Sequence, residues 1–256
     1  EVGIAWAELS TGRFFAACFP AQQLADELNR IGPSECLLAD DAPPLPDHVA
    51  RSCMITRRPA WAFAYDAAQE QLAKFFATAS LEGFGFTEQD TAGVRAAGAI
   101  LDYLMETQRT SLDHFDRLVP YRVGQYLEID ESTRRSLEIT RTIRDGRRDG
   151  SLLAVIDRTT TAMGSRLLSE WIAAPLTQRE AINRRLDAVE ELMRASGVRG
   201  ALRDELKGTY DIERLLSKIA YDTINARDCL ALQSTLARVP GLKRLLAEFD
   251  QPLLVE

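Results

Sequence analysis

Lysine is scarce in this 256-residue chain: Lys74, Lys207, Lys218 and Lys243 are the full set, and none follows a glycine. The P-loop G-x-x-x-x-G-K-[S/T], whose amides and lysine hold phosphates, is therefore excluded. G-x-G-x-x-G, H-E-x-x-H and G-x-S-x-G are missing too. Those gaps remove the dinucleotide fingerprint, the zinc-protease helix and the nucleophile elbow. Four cysteines (Cys18, Cys36, Cys53, Cys229) show no C-x-x-C spacing, and the two histidines, His48 and His114, stand far apart. This pattern fits reduced thiols and argues against a Cys/His metal centre. No window approaches the roughly 18 uninterrupted apolar residues that a spanning helix needs, and Glu1-Val2-Gly3-Ile4 does not read as a signal peptide.

What is present is ordinary globular material: 46% hydrophobic and 27% charged residues, enough for one large or two medium domains. The net charge of −7 is unevenly placed. Residues 1–125 hold 10 Lys+Arg against 17 Asp+Glu, whereas residues 126–256 hold 21 of each. All the excess acidity lies in the first half, and neither half shows the basic surplus usual in a free-standing nucleic-acid binder.

The first half reads as mixed α/β. Residues 2–9 and 13–19 are β-prone runs around Ser10-Thr11-Gly12, a loop suited to a bulged hairpin. Leu24, Leu28 and Ile31 recur at helical spacing before Gly32-Pro33. Glu35 to Ala39 and Cys53 to Thr56 read as short strands, with the proline-rich Ala42 to Pro46 between them. Asp66 is the expected cap of a helix over 67–77 with Leu72, Phe75 and Phe76 inward. Thr87 and Asp90 form a capping pattern for a long helix to about Arg109, with Val94, Ala97, Ile100, Leu101, Leu104 and Met105 as its stripe. Residues 110–125 read as linker, which gives domains 1–115 and 116–256.

From Tyr126 the pattern is helical. Ser151 caps a short helix, and a helix over Ala162 to Ala173 carries Met163, Leu167, Leu168, Trp171 and Ile172. Thr177 and Glu180 suggest a capping box for a helix bearing Ile182, Leu186, Val189 and Leu192. Further helices fit 198–207, 211–220, 226–238 and 241–249.

Few residues invite chemistry. Hairpin, helix and strand suit an RNase H-like fold, and two-metal nucleases of that shape need clustered carboxylates. Glu8, Asp40 and Asp41 are the candidates, against the plainer reading of solvated side chains. His48 and His114 read as surface histidines, and Trp6, Trp61 and Trp171 as core. Arg144, Arg147 and Arg148 are interleaved with Asp145 and Asp149, which reads as a charge-balanced loop.

The helical half resembles the MutS family of DNA mismatch repair proteins. The matching runs are Thr133-Arg134-Arg135-Ser136-Leu137-Glu138, then Ser151 to Asp157, then Thr161-Ala162-Met163-Gly164-Ser165-Arg166-Leu167-Leu168 with Trp171 and Pro175-Leu176. Arg185-Leu186-Asp187-Ala188-Val189 and Asp211-Ile212-Glu213-Arg214-Leu215-Leu216 follow. The first half is similar to the family's connector domain through Ser10 to Phe14 and Gly83-Phe84-Gly85. Thr161, Met163, Gly164, Arg166 and Trp171 are expected to have structural roles. Thr161 serves as cap, Gly164 as a close-approach position, and Arg166 pairs across the turn with Asp157.

The resemblance implies an α/β plus all-α chain: an RNase H-like, mixed-sheet connector domain followed by a helical core/lever domain. It implies no catalytic residue, metal or cofactor in these residues, with ATP and magnesium used elsewhere in the whole protein. The expected duty is to pass conformational change between the ATPase and the DNA-holding parts. Expected partners of the whole protein are mismatched DNA, MutL and a second MutS copy. This internal segment is expected to be a monomer, in a bacterial cytoplasm near the nucleoid and away from membranes. The expected MutL patch is Gln69, Glu70 and Gln71. The competing function is a metal-dependent nuclease with a helical appendage.

Overall fold

The computed structural model describes residues 1–108, 111–122 and 124–255. It divides into two compact units: Glu1–Val123 with Ile129–Glu131 and Ala220–Asp222, and Gly124–Glu128 with Ser132–Ile219 and Thr223–Glu256.

In the first unit, β1 (Val2–Glu8) and β2 (Arg13–Phe19) pair antiparallel from Val2↔Phe19 to Glu8↔Arg13. Gly12 takes φ +72° in the connecting loop, and a Cβ there would sit 2.1 Å from the His114 carbonyl oxygen. Only glycine meets both demands. Alternation along β2 sends Phe14 and Ala16 to one face and Ala17 and Phe19 to the other. Helices α3 (Tyr65–Phe75) and α4 (Thr91–Thr107) bring Ala68, Leu72, Val94, Ala97, Leu101 and Leu104 to the first face. On the second face, Leu24 and Ile31 of α1 (Leu24–Ile31) pack against Ile4, Ala17 and Phe19. Helix α1 ends at Gly32 with φ +61°. A separate parallel pair joins β3 (Glu35–Ala39) to β4 (Met54–Arg58), with the short α2 (Asp47–Ala50) between them.

The stretch read as linker contains β5 (Leu118–Pro120), parallel to β2 through Phe14↔Leu118, Phe15↔Val119 and Ala16↔Pro120. Leu118 is fully buried. Helix α3 starts two residues earlier than the Asp66 cap predicts. Ala64 is the extended N-cap, and Asp66 lies in the first turn, where its charge still favours the helix dipole. The Thr87/Asp90 box forms: Asp90 accepts from the Thr87 amide at 2.7 Å and hydroxyl at 3.0 Å. The stripe of α4 is buried apart from Ile100, which is half-buried, and Met105, which is 55% exposed; the helix's last described residue is Thr107, and Arg109 falls outside the described residues. All four cysteines are free thiols.

The second unit is helical: α5 (Glu131–Ser136), α6 (Leu152–Ile156), α7 (Ala162–Ala173), α8 (Arg179–Arg194), α9 (Ser196–Lys207), α10 (Ile212–Ala220), α11 (Ala226–Leu236), α12 (Val239–Leu246) and α13 (Pro252–Val255). The predicted Thr177/Glu180 box does not form. Thr177 donates its hydroxyl to the Gly124 carbonyl at 2.8 Å, and Gln178 becomes the N-cap of α8 without a side-chain bond. Leu186 and Val189, predicted inward, are 57% and 50% exposed. Ala188 takes the buried position instead, so α8 carries a second apolar stripe facing solvent in this unit.

Candidate functional site

The motif residues converge on one helix, α7. Its N-terminal end is closed by Thr161, whose hydroxyl oxygen accepts from the Gly164 amide at 3.0 Å. A Cβ on Gly164 would lie 3.1 Å from that same oxygen and 3.5 Å from Thr159 Cβ. The close approach expected at Gly164 is therefore to its own capping loop rather than to a neighbouring backbone. Replacing Thr161 by alanine is expected to lower the stability of the helical unit by about 1 kcal/mol. Urea unfolding followed by far-UV circular dichroism measures it, and no shift in midpoint would show that the cap is dispensable.

Asp157, just upstream, is fully engaged by its own loop. It accepts from the Thr159 hydroxyl at 2.7 Å, the Ser165 hydroxyl at 2.7 Å, the Thr159 amide at 3.0 Å and the Arg148 guanidinium. The Thr159 hydroxyl leads the set that holds this carboxyl far below the usual carboxylate range. Arg166 is consequently not Asp157's partner. It forms a fork onto Asp211, Nη1 to Oδ2 at 2.6 Å and Nη2 to Oδ1 at 2.8 Å, and also reaches Glu213 at 2.5 Å. Both Arg166 and Asp211 side chains are 17% exposed. The fork lowers the Asp211 pKa and raises that of Arg166. Asp211 also accepts from the Arg214 amide at 3.4 Å, so the same carboxylate sits at the start of α10.

The other motif residues close the remaining sides of α7. The Arg185 guanidinium lies over the Trp171 ring, 3.6 Å from its centroid, and desolvation lowers the Arg185 pKa. A cation on an aromatic face, half-buried, contributes about 1 kcal/mol or somewhat more. Arg134 Nη1 donates to the Ala173 carbonyl at 2.8 Å, covering the helix's C-terminal end. Met163 is half-buried, whereas Leu167 is 42% exposed. Sequence alone missed the Arg134 and Arg185 contacts, although both residues stand inside quoted motif runs.

The other predicted residues are scattered. Glu8 accepts from the Ser10 and Thr11 hydroxyls at 3.0 and 2.9 Å, while Asp40 and Asp41 are exposed beyond β3. No group of three potential metal ligands occurs among the described residues, so the nuclease triad is not assembled. Gln69 and Glu70 are exposed on α3, but Gln71 is half-buried with its amide 3.5 Å from Met105 Sδ. His114 is half-buried, not a surface residue: its Nε2 is 3.0 Å from the Leu9 carbonyl oxygen, and burial pushes its pKa down. The side chain of His48 lies outside the described residues. Trp6 stacks on Phe15 at 5.2 Å, but Trp61 is 67% exposed rather than core. In the arginine loop, Arg144 is solvent-facing and Arg148 is turned onto Asp157.

These features define a class: an α/β unit followed by a multi-helix unit whose motif side chains are spent on holding one helix in place. Comparison with known proteins gives the family. The model for MutS domain II matches residues 1–116, and that for MutS domain III matches 132–256. The DNA mismatch repair protein MutS of Rhodopirellula baltica is 50% identical over 99% of this chain, and the chain covers 28% of that protein. The MutS proteins of Desulfosudis oleivorans and Synechococcus elongatus are 42% and 40% identical, with 29% and 30% of their lengths covered. The chain belongs to the MutS family of DNA mismatch repair proteins, in its domains II and III. It spans under a third of the length of the relatives it matches. No helix among the described residues is long and apolar enough to cross a membrane.

Proposed function

We propose that this chain is the connector and lever segment of a mismatch repair MutS protein, passing conformational change between its ATPase and its DNA-holding parts. The observation that carries the reading is the convergence on α7: cap, fork, ring lid and C-terminal arginine come from four separate stretches of sequence, at Thr161, at Asp211 and Glu213, at Arg185 and at Arg134. A helix fixed at both ends and on two sides moves as one body with its neighbours, which is what a lever requires. The segment acts without catalytic residues, metal or cofactor of its own. ATP and magnesium serve other parts of the whole protein, whose partners are mismatched DNA, MutL and a second copy, in a bacterial cytoplasm near the nucleoid. The segment alone is monomeric.

Full-length protein carrying Arg166→Lys tests this reading. A lysine keeps the charge but loses the fork. The expected result is basal ATP hydrolysis within twofold of wild type, with ATP-triggered release from a mismatched duplex slowed at least fivefold. Unchanged release would remove the lever role from this helix.

MutL docking on α3 is the second part of the proposal. It rests on the exposed Gln69 and Glu70, while Gln71 is engaged by Met105. Glu70→Lys is expected to weaken MutL capture at least fivefold, and Gln71→Ala by less than twofold. Equal binding by wild type and Glu70→Lys would take the patch out of the interface.

A further inference from the structure

Helix α8 has two apolar sides, and the helical unit uses one. Arg185, over the Trp171 ring, and the buried Ala188 hold that side in place. On the other, Leu186, Val189 and Met193 are 57%, 50% and 65% exposed, and the half-buried Ile182 continues the line toward the start of the helix. The intervals from 182 to 186, 189 and 193 run four, three, four. That alternation makes one straight seam about 17 Å long, the spacing into which a second helix packs. Single exposed leucines need no explanation, but a contiguous apolar strip marks an interaction surface.

A cleft of about 250 Å³ borders the seam, lined by Asp187, Glu190, Glu191 and Arg194 of α8 together with Asp250 and Gln251. Glu190 lies about 40° around the helix axis from Leu186, so acid and seam adjoin. Glu191 already accepts from the Asp250 and Gln251 amides at 2.8 and 3.0 Å, and Arg194 pairs with Glu190. Four carboxylates against one guanidinium leave an excess of three negative charges. Among the described residues neither Asp187 nor Asp250 has a cationic partner.

We propose that this seam and its acid flank dock a basic amphipathic helix supplied by a partner protein. Its apolar stripe covers Leu186, Val189 and Met193, and a lysine or arginine beside that stripe enters the cleft. Helix-on-helix recognition reads anchors at such spacings, and complementary charge fixes which helix is accepted. An acidic helix would add to the excess, and a second copy of this chain would bring the same excess with it.

The test uses the 256-residue chain and three fluorescently labelled synthetic peptides of about five helical turns, read by anisotropy. One carries leucines along one helical face and lysines along the other. The second has glutamate for lysine, and the third scrambles the first so that no face forms. The leucine/lysine peptide is expected to bind at least tenfold more tightly than either of the others. Leu186→Ser/Met193→Ser is expected to weaken it at least fivefold. Asp187→Asn/Asp250→Asn is expected to weaken it at least threefold and to reduce its salt dependence. All four side chains are exposed, so these variants keep the fold. Leu230→Ser on α11, 65% exposed, and Asp145→Asn/Asp149→Asn are the controls and are expected to behave like wild type.

Equal affinity for the lysine and glutamate peptides overturns the proposal, as does an equal loss in either control. Sedimentation of the chain alone as a dimer that Leu186→Ser/Met193→Ser dissociates would give the seam to a second copy and equally sink it. Neither Arg166 nor Glu70 takes part, so failure here is separately visible from failure of the lever or MutL readings.

Discussion

Arg166→Met is expected to lower the stability of the helical unit by about 2–3 kcal/mol, several times the effect of any exposed ion pair in the chain. Breaking a fully buried pair costs about 3–5 kcal/mol, because the partner left behind is an uncompensated charge. At 17% exposure for Arg166 and Asp211, and 32% for Glu213, water screens part of that cost. The contrast is Arg194–Glu190 on α8, with side chains 77% and 59% exposed; losing it is expected to cost about 0.5 kcal/mol or less. Urea midpoints of the two variants measure the difference. A double-mutant cycle with Asp211→Asn isolates the coupling, expected to exceed about 1 kcal/mol. A cycle that closes at zero would reduce the fork to a surface pair. Acid adds a second signature. The fork holds Asp211 below its ordinary pKa, so the stabilisation is complete above the unfolded value near 4 and fades as pH falls through the lower folded value.

The second large effect lies in the first unit, at Gly3. A Cβ built there falls 1.9 Å from the Ala92 carbonyl oxygen and 2.6 Å from the Gly93 amide nitrogen. Strand β1 and helix α4 touch backbone to backbone, and no side-chain rotation relieves the collision. Gly98 is similarly tight, with 2.3 Å to Ala68 Cβ on α3. Overpacking a well-filled core ordinarily costs about 1–3 kcal/mol. Gly3→Ala, which must separate two elements, is expected at or above the top of that range and to shift the first unit's melting temperature downward by more than 10 °C. Gly197 and Gly200 provide the control of opposite sign. Both lie in α9 with nothing within 4 Å of a built Cβ, so alanine there is expected to stabilise by about 0.5–1 kcal/mol. A mild Gly3→Ala phenotype would mean that β1 and α4 are able to slide apart.

Elements with a strong local rule were legible in the amino-acid order. Strands β2 and β3 and helix α7 have their predicted bounds, because alternation, periodicity and the Thr161 cap all agree there. Strand β5 was not legible: three residues ending in proline show no alternation, and the partner that orders them lies 104 residues upstream. Arg166 was assigned to Asp157 on sequence proximity. The Thr159 and Ser165 hydroxyls, the Thr159 amide and the Arg148 guanidinium around Asp157 show why a nearer carboxylate loses: it was already satisfied, whereas Asp211 offered both oxygens to the fork. Leu186 and Val189 mark a different limit. Periodicity shows that a stripe is apolar but not which of two stripes on α8 the unit buries.

The pairing of β5 with β2 has a bearing on how the protein is made. Phe14 meets Leu118, and both belong to the most buried part of the first unit. A chain emerging from the ribosome at about 5–20 residues per second presents the hairpin early and its third strand several seconds later. During that interval the free edge of β2 and the apolar face around Phe14 are open to mispairing. The first unit thus reaches its native core only after its last strand has cleared the exit tunnel, which makes this interval the natural point for chaperone engagement and for aggregation of destabilised variants.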